Sequence, residues 1–369
     1  MLDQFARGAP MPRMRSAVRT LPSYHPPLGG RTGLRLDFNE NVVGCSPKVL
    51  ERLRKIGVEE LARYPEREPV ELIAASHLGV KPGELLLTNG VDEAIHLVCQ
   101  TYLDADDEVL IVVPTFAMYE IFGSTTGARV AKVPAGAHFS FPTNTVLRHI
   151  TGKTRLIAIA NPNNPTGMAV PLDDLRLIAQ SAPEAAILVD EAYYEFHGQS
   201  LLRQWTEFPN IFVARTFSKA YGLAGLRAGL LMGSGDAMDQ VRKVASPYSV
   251  NAVALACLPD ALEDVAYVNA YVRDVCAGRE RLEEELKSLG IPFWPSRANF
   301  VLMRIGEQSS AFVRGMRERG ILVRDRSSDP GCEGCVRITL GSMKQTDQLL
   351  SALRETLQEL GLARQEVRP

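Results

Sequence analysis

No stretch of this 369-residue chain approaches the roughly 20 consecutive apolar residues needed to cross a membrane. Residues Met1 to Arg19 interleave Arg, Pro and Met, without the uninterrupted apolar run of a secretory signal. The expected location is therefore the cytoplasm. Excess charge is missing too. The 41 Lys plus Arg stand against 43 Asp plus Glu, a net charge of −2, so no basic face for nucleic acid or anionic membrane is implied. Cysteines are few and scattered, at positions 45, 99, 257, 276, 332 and 335. Cys332-Glu333-Gly334-Cys335 is a lone C-x-x-C, the spacing of half a zinc site or of a redox pair. Zinc would need a second ligand pair, and none follows, so two reduced thiols in a turn entering a strand are expected. The six His form no pair at i, i+4, and no metal is expected. Nucleotide signatures are also lacking. No G-x-x-x-x-G-K occurs, and Gly222, Gly225 and Gly229 lack the strand-then-helix setting of a dinucleotide fingerprint.

What remains is an ordinary enzyme composition, 46% hydrophobic and 23% charged, long enough for two domains. Short apolar runs alternate with amphipathic helices through the central region. Strands are predicted at 84–88, 109–113, 155–160, 186–189, 211–214 and 228–232, with helices at 92–103 and 172–180. That alternation predicts an α/β domain around a mostly parallel sheet, over residues 41–262. Beyond it, a long helix at 265–289, strands at 299–305, 321–324 and 336–340, and helices at 310–319 and 346–360 predict a smaller α+β domain over 263–369. The Pro-rich residues 1–40 cannot form a core and are expected to dock on that second domain.

Four segments carry chemistry. Lys219 follows the apolar run 211–214 and precedes the small residues of Ala220-Tyr221-Gly222-Leu223-Ala224-Gly225. A lysine at the carboxyl end of a parallel strand sits where such sheets bind ligands, and small neighbours let a flat group approach the backbone. Thr216, Ser218 and Arg227 could together hold a phosphate, leaving the amine of Lys219 to form a Schiff base. Asn161-Pro162-Asn163-Asn164-Pro165-Thr166-Gly167 is a stiff turn that aims Asn164 into the same crevice. Asp190, directly after a buried strand, needs a cationic partner, and a protonated pyridine nitrogen is one. Tyr193 lies close enough to share a ring hydroxyl with Asn164. In Thr88-Asn89-Gly90-Val91-Asp92-Glu93 the amides at a helix start, those of Val91 and Asp92, suit a phosphate without a P-loop.

Asn-Pro-Asn-Asn-Pro-Thr-Gly, then Asp-Glu-Ala-Tyr, then Thr-Phe-Ser-Lys with Arg eight residues on, resemble class I/II aminotransferases of pyridoxal-phosphate (PLP) fold type I. Phe38-Asn39-Glu40-Asn41, Arg63-Tyr64-Pro65-Glu66, Pro114-Thr115-Phe116, Val323-Arg324-Asp325-Arg326 and Val336-Arg337-Ile338-Thr339 look like the histidinol-phosphate aminotransferase family within it. The resemblance runs from about residue 20 to the end and implies a seven-stranded, mostly parallel sheet flanked by helices. It implies PLP as cofactor, held by Lys219, Asp190, Asn164, Tyr193, Val91, Asp92, Thr216, Ser218 and Arg227, with Phe116 on the ring face. Lys219, Asp190 and Tyr193 are its catalytic residues. Tyr64 is implied to reach the cofactor phosphate of a second subunit, making a homodimer. On the substrate side Arg337 is implied to clamp a carboxylate and Arg324 a phosphate, with Tyr24 and Asn41 also facing the substrate. The family's segment closing over the substrate is matched only loosely at Leu21-Pro22-Ser23-Tyr24-His25-Pro26, and Val42 stands where the family usually has Pro. The implied reaction is transfer of the amino group of L-histidinol phosphate to 2-oxoglutarate. An aminotransferase for aromatic or other amino acids, and a threonine-phosphate decarboxylase-like lyase, are alternatives of the same build.

Overall fold

Apolar runs buried on both faces make the central sheet of the computed structural model, which describes residues 12–19, 21–23, 30 and 32–362. In chain order the strands are β1 (Leu34–Arg35), β2 (Leu85–Thr88), β3 (Glu108–Val113), β4 (Arg129–Pro134), β5 (Thr154–Ala160), β6 (Ala186–Asp190) and β7 (Ile211–Thr216). They continue with β8 (Gly229–Met232), β9 (Phe293–Trp294), β10 (Phe300–Arg304), β11 (Ile321–Leu322), β12 (Arg324–Asp325) and β13 (Cys335–Thr339). Seven of them join in the order β2-β8-β7-β6-β5-β3-β4, with β8 alone antiparallel to its neighbours. Alternate residues enter opposite cores. Leu85, Leu87, Ile187, Val189, Ile211 and Val213 pack on one face, while Leu86, Leu188, Phe212, Ala214 and Leu231 pack on the other. Helices cover both faces, which is why these strands are apolar throughout rather than alternating. Helices Glu68–Leu78, Leu172–Ser181 and Ala252–Glu263 lie on the first face, and helix Gly90–Tyr102 on the second.

The edge strand β4 was not legible as a strand. Its sequence Arg-Val-Ala-Lys-Val-Pro buries Val133 only, because an edge strand keeps charge and Pro to discourage further pairing.

Residues past 264 build a second core. The 25-residue helix Val265–Leu289 begins on Asp264, whose side chain accepts from the Tyr267 N–H, and stops at Gly290 in the left-handed region. With helices Ser309–Glu318 and Met343–Glu359 it covers an antiparallel sheet of order β12-β13-β10-β9. The single strand expected at 321–324 is divided. Ile321 and Leu322 pair in parallel with Leu34 and Arg35 of β1, while Arg324 and Asp325 turn to β13. Leu36 is buried in this second core, so this end of the N-terminal segment lies on it. The earlier turn Ser16–Arg19 lies instead against helix Met118–Thr126 of the large sheet. Among the described residues no helix is long and apolar enough to cross a membrane.

Candidate active site

Parallel strands end their backbones with the same polarity, so β2, β3, β5, β6 and β7 deliver their following residues to one edge of the sheet. Because β8 is antiparallel, its beginning, with Arg227 just before it, reaches that edge as well. A cavity of about 820 Å³ opens there, closed from the far side by β12, β13 and the 326–329 turn. Of the residues singled out in the sequence, Val91, Asp92, Phe116, Asn164, Asp190, Tyr193, Thr216, Ser218, Lys219, Arg227, Arg324 and Arg337 all line it.

Lys219 Nζ donates to the Phe38 carbonyl at 3.1 Å. Burial brings its pKa down to about 8, Arg337 pushing the same way and Glu40 opposing. The amine is therefore readily neutral and nucleophilic. Asp190, 5% exposed, accepts from the Tyr119 hydroxyl at 2.7 Å and from the Ala192 N–H at 3.0 Å. Both donors are neutral, and burial raises the carboxyl to about 6 despite them. Burial and Asp190 together hold the Tyr119 phenol well above its ordinary range, so it stays a donor. Beside Asp190, Glu191 runs the other way into the protein, where Arg215 donates to it through Nε and Nη2 at 3.0 and 2.8 Å.

At the other end of the cavity, Asp92 pairs with Arg227 at 3.0 Å, and Thr216 donates to Ser218 Oγ at 3.0 Å. Helix Gly90–Tyr102 starts here without a side-chain cap from Asn89. Gly90 has φ +72°, and a Cβ on it would meet Arg227 Nη2 at 2.8 Å; one on Gly229 would strike the Gly90 carbonyl carbon at 2.7 Å. Only glycines let these two backbones and the guanidinium close up as a cradle.

On the substrate-facing wall, Arg337 Nη1 donates to Asn164 Oδ1 and Nη2 to the Asp37 carbonyl at 2.9 Å, while its Nε is buried without a partner. Burial first, and Arg326 next, lower Arg337 to about 9. Arg324 lies over the Phe38 ring, 5.3 Å from its centroid.

Two residues of the sequence reading are not brought into the cavity. Asn41 instead serves its own turn, accepting from the Val43 and Gly44 N–H groups and donating to the Ala220 carbonyl at 3.1 Å. Tyr64 is 79% exposed and stacked on Tyr248 with centroids 4.4 Å apart, outside the cavity of its own chain. Tyr24 lies outside the described residues. Cys332 and Cys335 are free and buried with Leu302, against Phe139 and Trp294, in a turn closed by a Cys335 N–H to Cys332 carbonyl bond of 2.8 Å.

The structure adds residues that sequence patterns did not single out for a role. Tyr119 sits in the first turn of helix Met118–Thr126, indistinguishable in sequence from a core aromatic. Asn39, left-handed at φ +55°, donates to the Tyr193 hydroxyl at 2.9 Å and bonds Thr339 through its N–H. Its signal was present in Phe38-Asn39-Glu40-Asn41.

These residues fit PLP. A buried carboxylate with only neutral donors suits a protonated pyridine nitrogen, and a glycine cradle with Arg227, Thr216 and Ser218 suits a phosphate. The uptake of PLP by cofactor-free enzyme should then follow the neutral amine of Lys219. Its rate should rise with pH and level off above about 8, as followed by stopped-flow absorbance. A pH-independent rate across that value would count against the lowered pKa.

The class I and II aminotransferase family model matches residues 31–353. The chain is 35% identical to a histidinol-phosphate aminotransferase of Methylococcus capsulatus, covering 92% of this chain and 97% of the relative. It is 36% identical to one of Caldanaerobacter subterraneus, over 88% and 93% of the two. Its fold superposes on the histidinol-phosphate aminotransferase of Sinorhizobium meliloti, solved in complex with pyridoxal-5'-phosphate, with a TM-score of 0.86 and 25% identity, covering 95% and 99%. With the family model matched over most of the chain and relatives at 35–36% identity over nearly their whole length, the chain belongs to the class I and II aminotransferase family, grouping within it with the histidinol-phosphate aminotransferases.

Proposed function

We propose that this enzyme transfers the amino group of L-histidinol phosphate to 2-oxoglutarate in two successive half-reactions, giving imidazole-acetol phosphate and L-glutamate. In this reading it is a cytoplasmic homodimer. One observation carries the substrate class. Arg324 and Arg337 are direct cross-strand partners of β12 and β13, and both line the cavity. Like charges facing each other across a strand pair are unfavourable, and a multiply charged anion between them relieves that repulsion. In histidinol phosphate a phosphorylated hydroxymethyl group takes the place of an amino acid's carboxylate. Arg337 serves the glutamate carboxylate, and Arg324 extends the site to the phosphate.

PLP, when bound, supplies an electron sink for the carbanion left when the donor Cα loses its proton. The chain's own residues do the rest. Lys219 Nζ holds the cofactor and, once released, accepts that proton, its neutral form being favoured by burial and by Arg337. Asp190 keeps the pyridine nitrogen protonated from a dry position fixed by Tyr119. Asn164 and Tyr193 hold the ring oxygen, Phe116 covers the ring face, and Val91, Asp92, Thr216, Ser218 and Arg227 hold the phosphate. Tyr64, exposed beside Val58 and Leu61 at 83% and 62%, belongs to an apolar surface suited to a second subunit, whose cofactor phosphate it reaches.

Arg324→Ala tests the substrate class. It should lower kcat/KM for histidinol phosphate by about 10- to 100-fold, equivalent to about 1.5–3 kcal/mol of charge-assisted contact, while the glutamate half-reaction changes far less. Equal losses on both would remove the phosphate role.

A further inference from the structure

We infer that Arg326 is a third anion-recognition residue and that Asp329 is its stand-in partner, displaced when the phosphate of the donor enters. The inference rests on the phosphorylated-donor reading above and assigns one further element of that specificity.

Arg326 stands two residues beyond Arg324, and residues two apart in extended chain share a face. Its N–H donates to the Cys335 carbonyl at 2.9 Å, carrying the β12–β13 pairing one residue further. Arg324, Arg326 and Arg337 consequently line the same wall of the cavity. Arg326 is also close enough to Arg337 to lower its pKa, second only to burial. Against this group stands Asp329, whose Oδ2 forms an ion pair with Arg326 Nη2. Other nearby carboxylates are engaged elsewhere: Glu40 pairs with Arg35 at 2.7 Å, and Asp325 Oδ1 accepts from the Ser327 N–H at 2.8 Å.

Two features separate this pair from a simple loop brace. The turn is already closed by the Asp329 N–H bonding the Arg326 carbonyl at 2.9 Å, so the backbone does not depend on the side chains. The pair also faces the cavity, with side chains 17% and 22% exposed, while Arg326 Nε is buried without a partner. One carboxylate satisfies this guanidinium only in part. A phosphate offers three strong acceptor oxygens and up to two charges, and would take over Arg326 from Asp329.

The test uses the PLP-loaded enzyme and its separate half-reactions. Arg326→Gln should raise KM for histidinol phosphate at least about tenfold more than KM for glutamate, with Arg326→Lys recovering part of the difference. Asp329→Asn should act in the opposite direction, making inorganic phosphate several-fold more potent as an inhibitor of the glutamate half-reaction. A merely structural pair predicts otherwise: both variants would weaken both donors alike and leave phosphate inhibition unchanged or weaker, which would overturn the inference. If Arg326→Gln fails to fold, Asp329→Asn with inorganic phosphate decides alone. Should the wild-type enzyme not turn over histidinol phosphate at all, the functional reading falls, whereas the phosphate-inhibition comparison still decides the role of Arg326.

Discussion

Lys219→Ala should leave the enzyme folded, able to bind PLP without a covalent bond, and slower in both half-reactions by at least about 10²–10⁴-fold. The amine stands at the end of β7, anchored on the Phe38 carbonyl and facing the cavity. Its lowered pKa makes it a base near neutral pH, which a methyl group cannot replace. Among the described residues no other lysine lines this cavity, so no neighbouring amine there substitutes for it. The check is borohydride treatment followed by mass analysis: the wild type should retain the pyridoxyl group on Lys219, and the variant should lose it. Retention at full stoichiometry in the variant would disprove the central assignment. Removing a cation from beside Arg337 also relieves repulsion, so thermal stability of the cofactor-free variant should not fall.

Asp190→Asn should give the second largest loss. The carboxylate is buried between strand ends and receives only the Tyr119 hydroxyl and the Ala192 N–H. With the cofactor present it would form a buried ion pair with the pyridine nitrogen. Taking away one charge of such a pair costs about 3–5 kcal/mol, or roughly 10²- to 5 × 10³-fold in rate if the protonated ring is needed mainly in the transition state. Amide geometry nearly matches the carboxylate, so the fold and PLP content should be retained while kcat collapses. A kcat within tenfold of wild type would show that the ring works without this charge. The sign for the cofactor-free protein is opposite. Burial raises the folded pKa of Asp190 to about 6, so its ionisation above that value disfavours folding, and the variant should gain stability relative to wild type there.

The legibility of this protein divides along physical lines. The apolar runs 211–214 and 186–189 were readable because strand residues buried on both faces are apolar, and no helix of that length would be. β4 was not, since half-exposed edge residues follow solubility rather than packing. Lys219, Asp190 and Asn164 were readable as candidates because each lies at or shortly past the end of such a strand, in a turn or charge that a purely structural role would make costly. Tyr119 was not readable, for its bond to Asp190 spans 71 residues and leaves no local trace.

By itself, then, the sequence determined the parallel sheet, the residues at its carboxyl edge and the family to which the chain is similar. Those features follow from local pattern and from motif spacing. The tertiary structure alone decided which charges face each other: Arg337 on Asn164, Arg324 opposite Arg337, and Arg326 on Asp329. It also decided that Asn41 accepts from the Val43 and Gly44 N–H groups and that burial lowers the pKa of Lys219 to about 8. Burial and the approach of distant charges set those properties, and both arise only when the second core closes over the edge of the first.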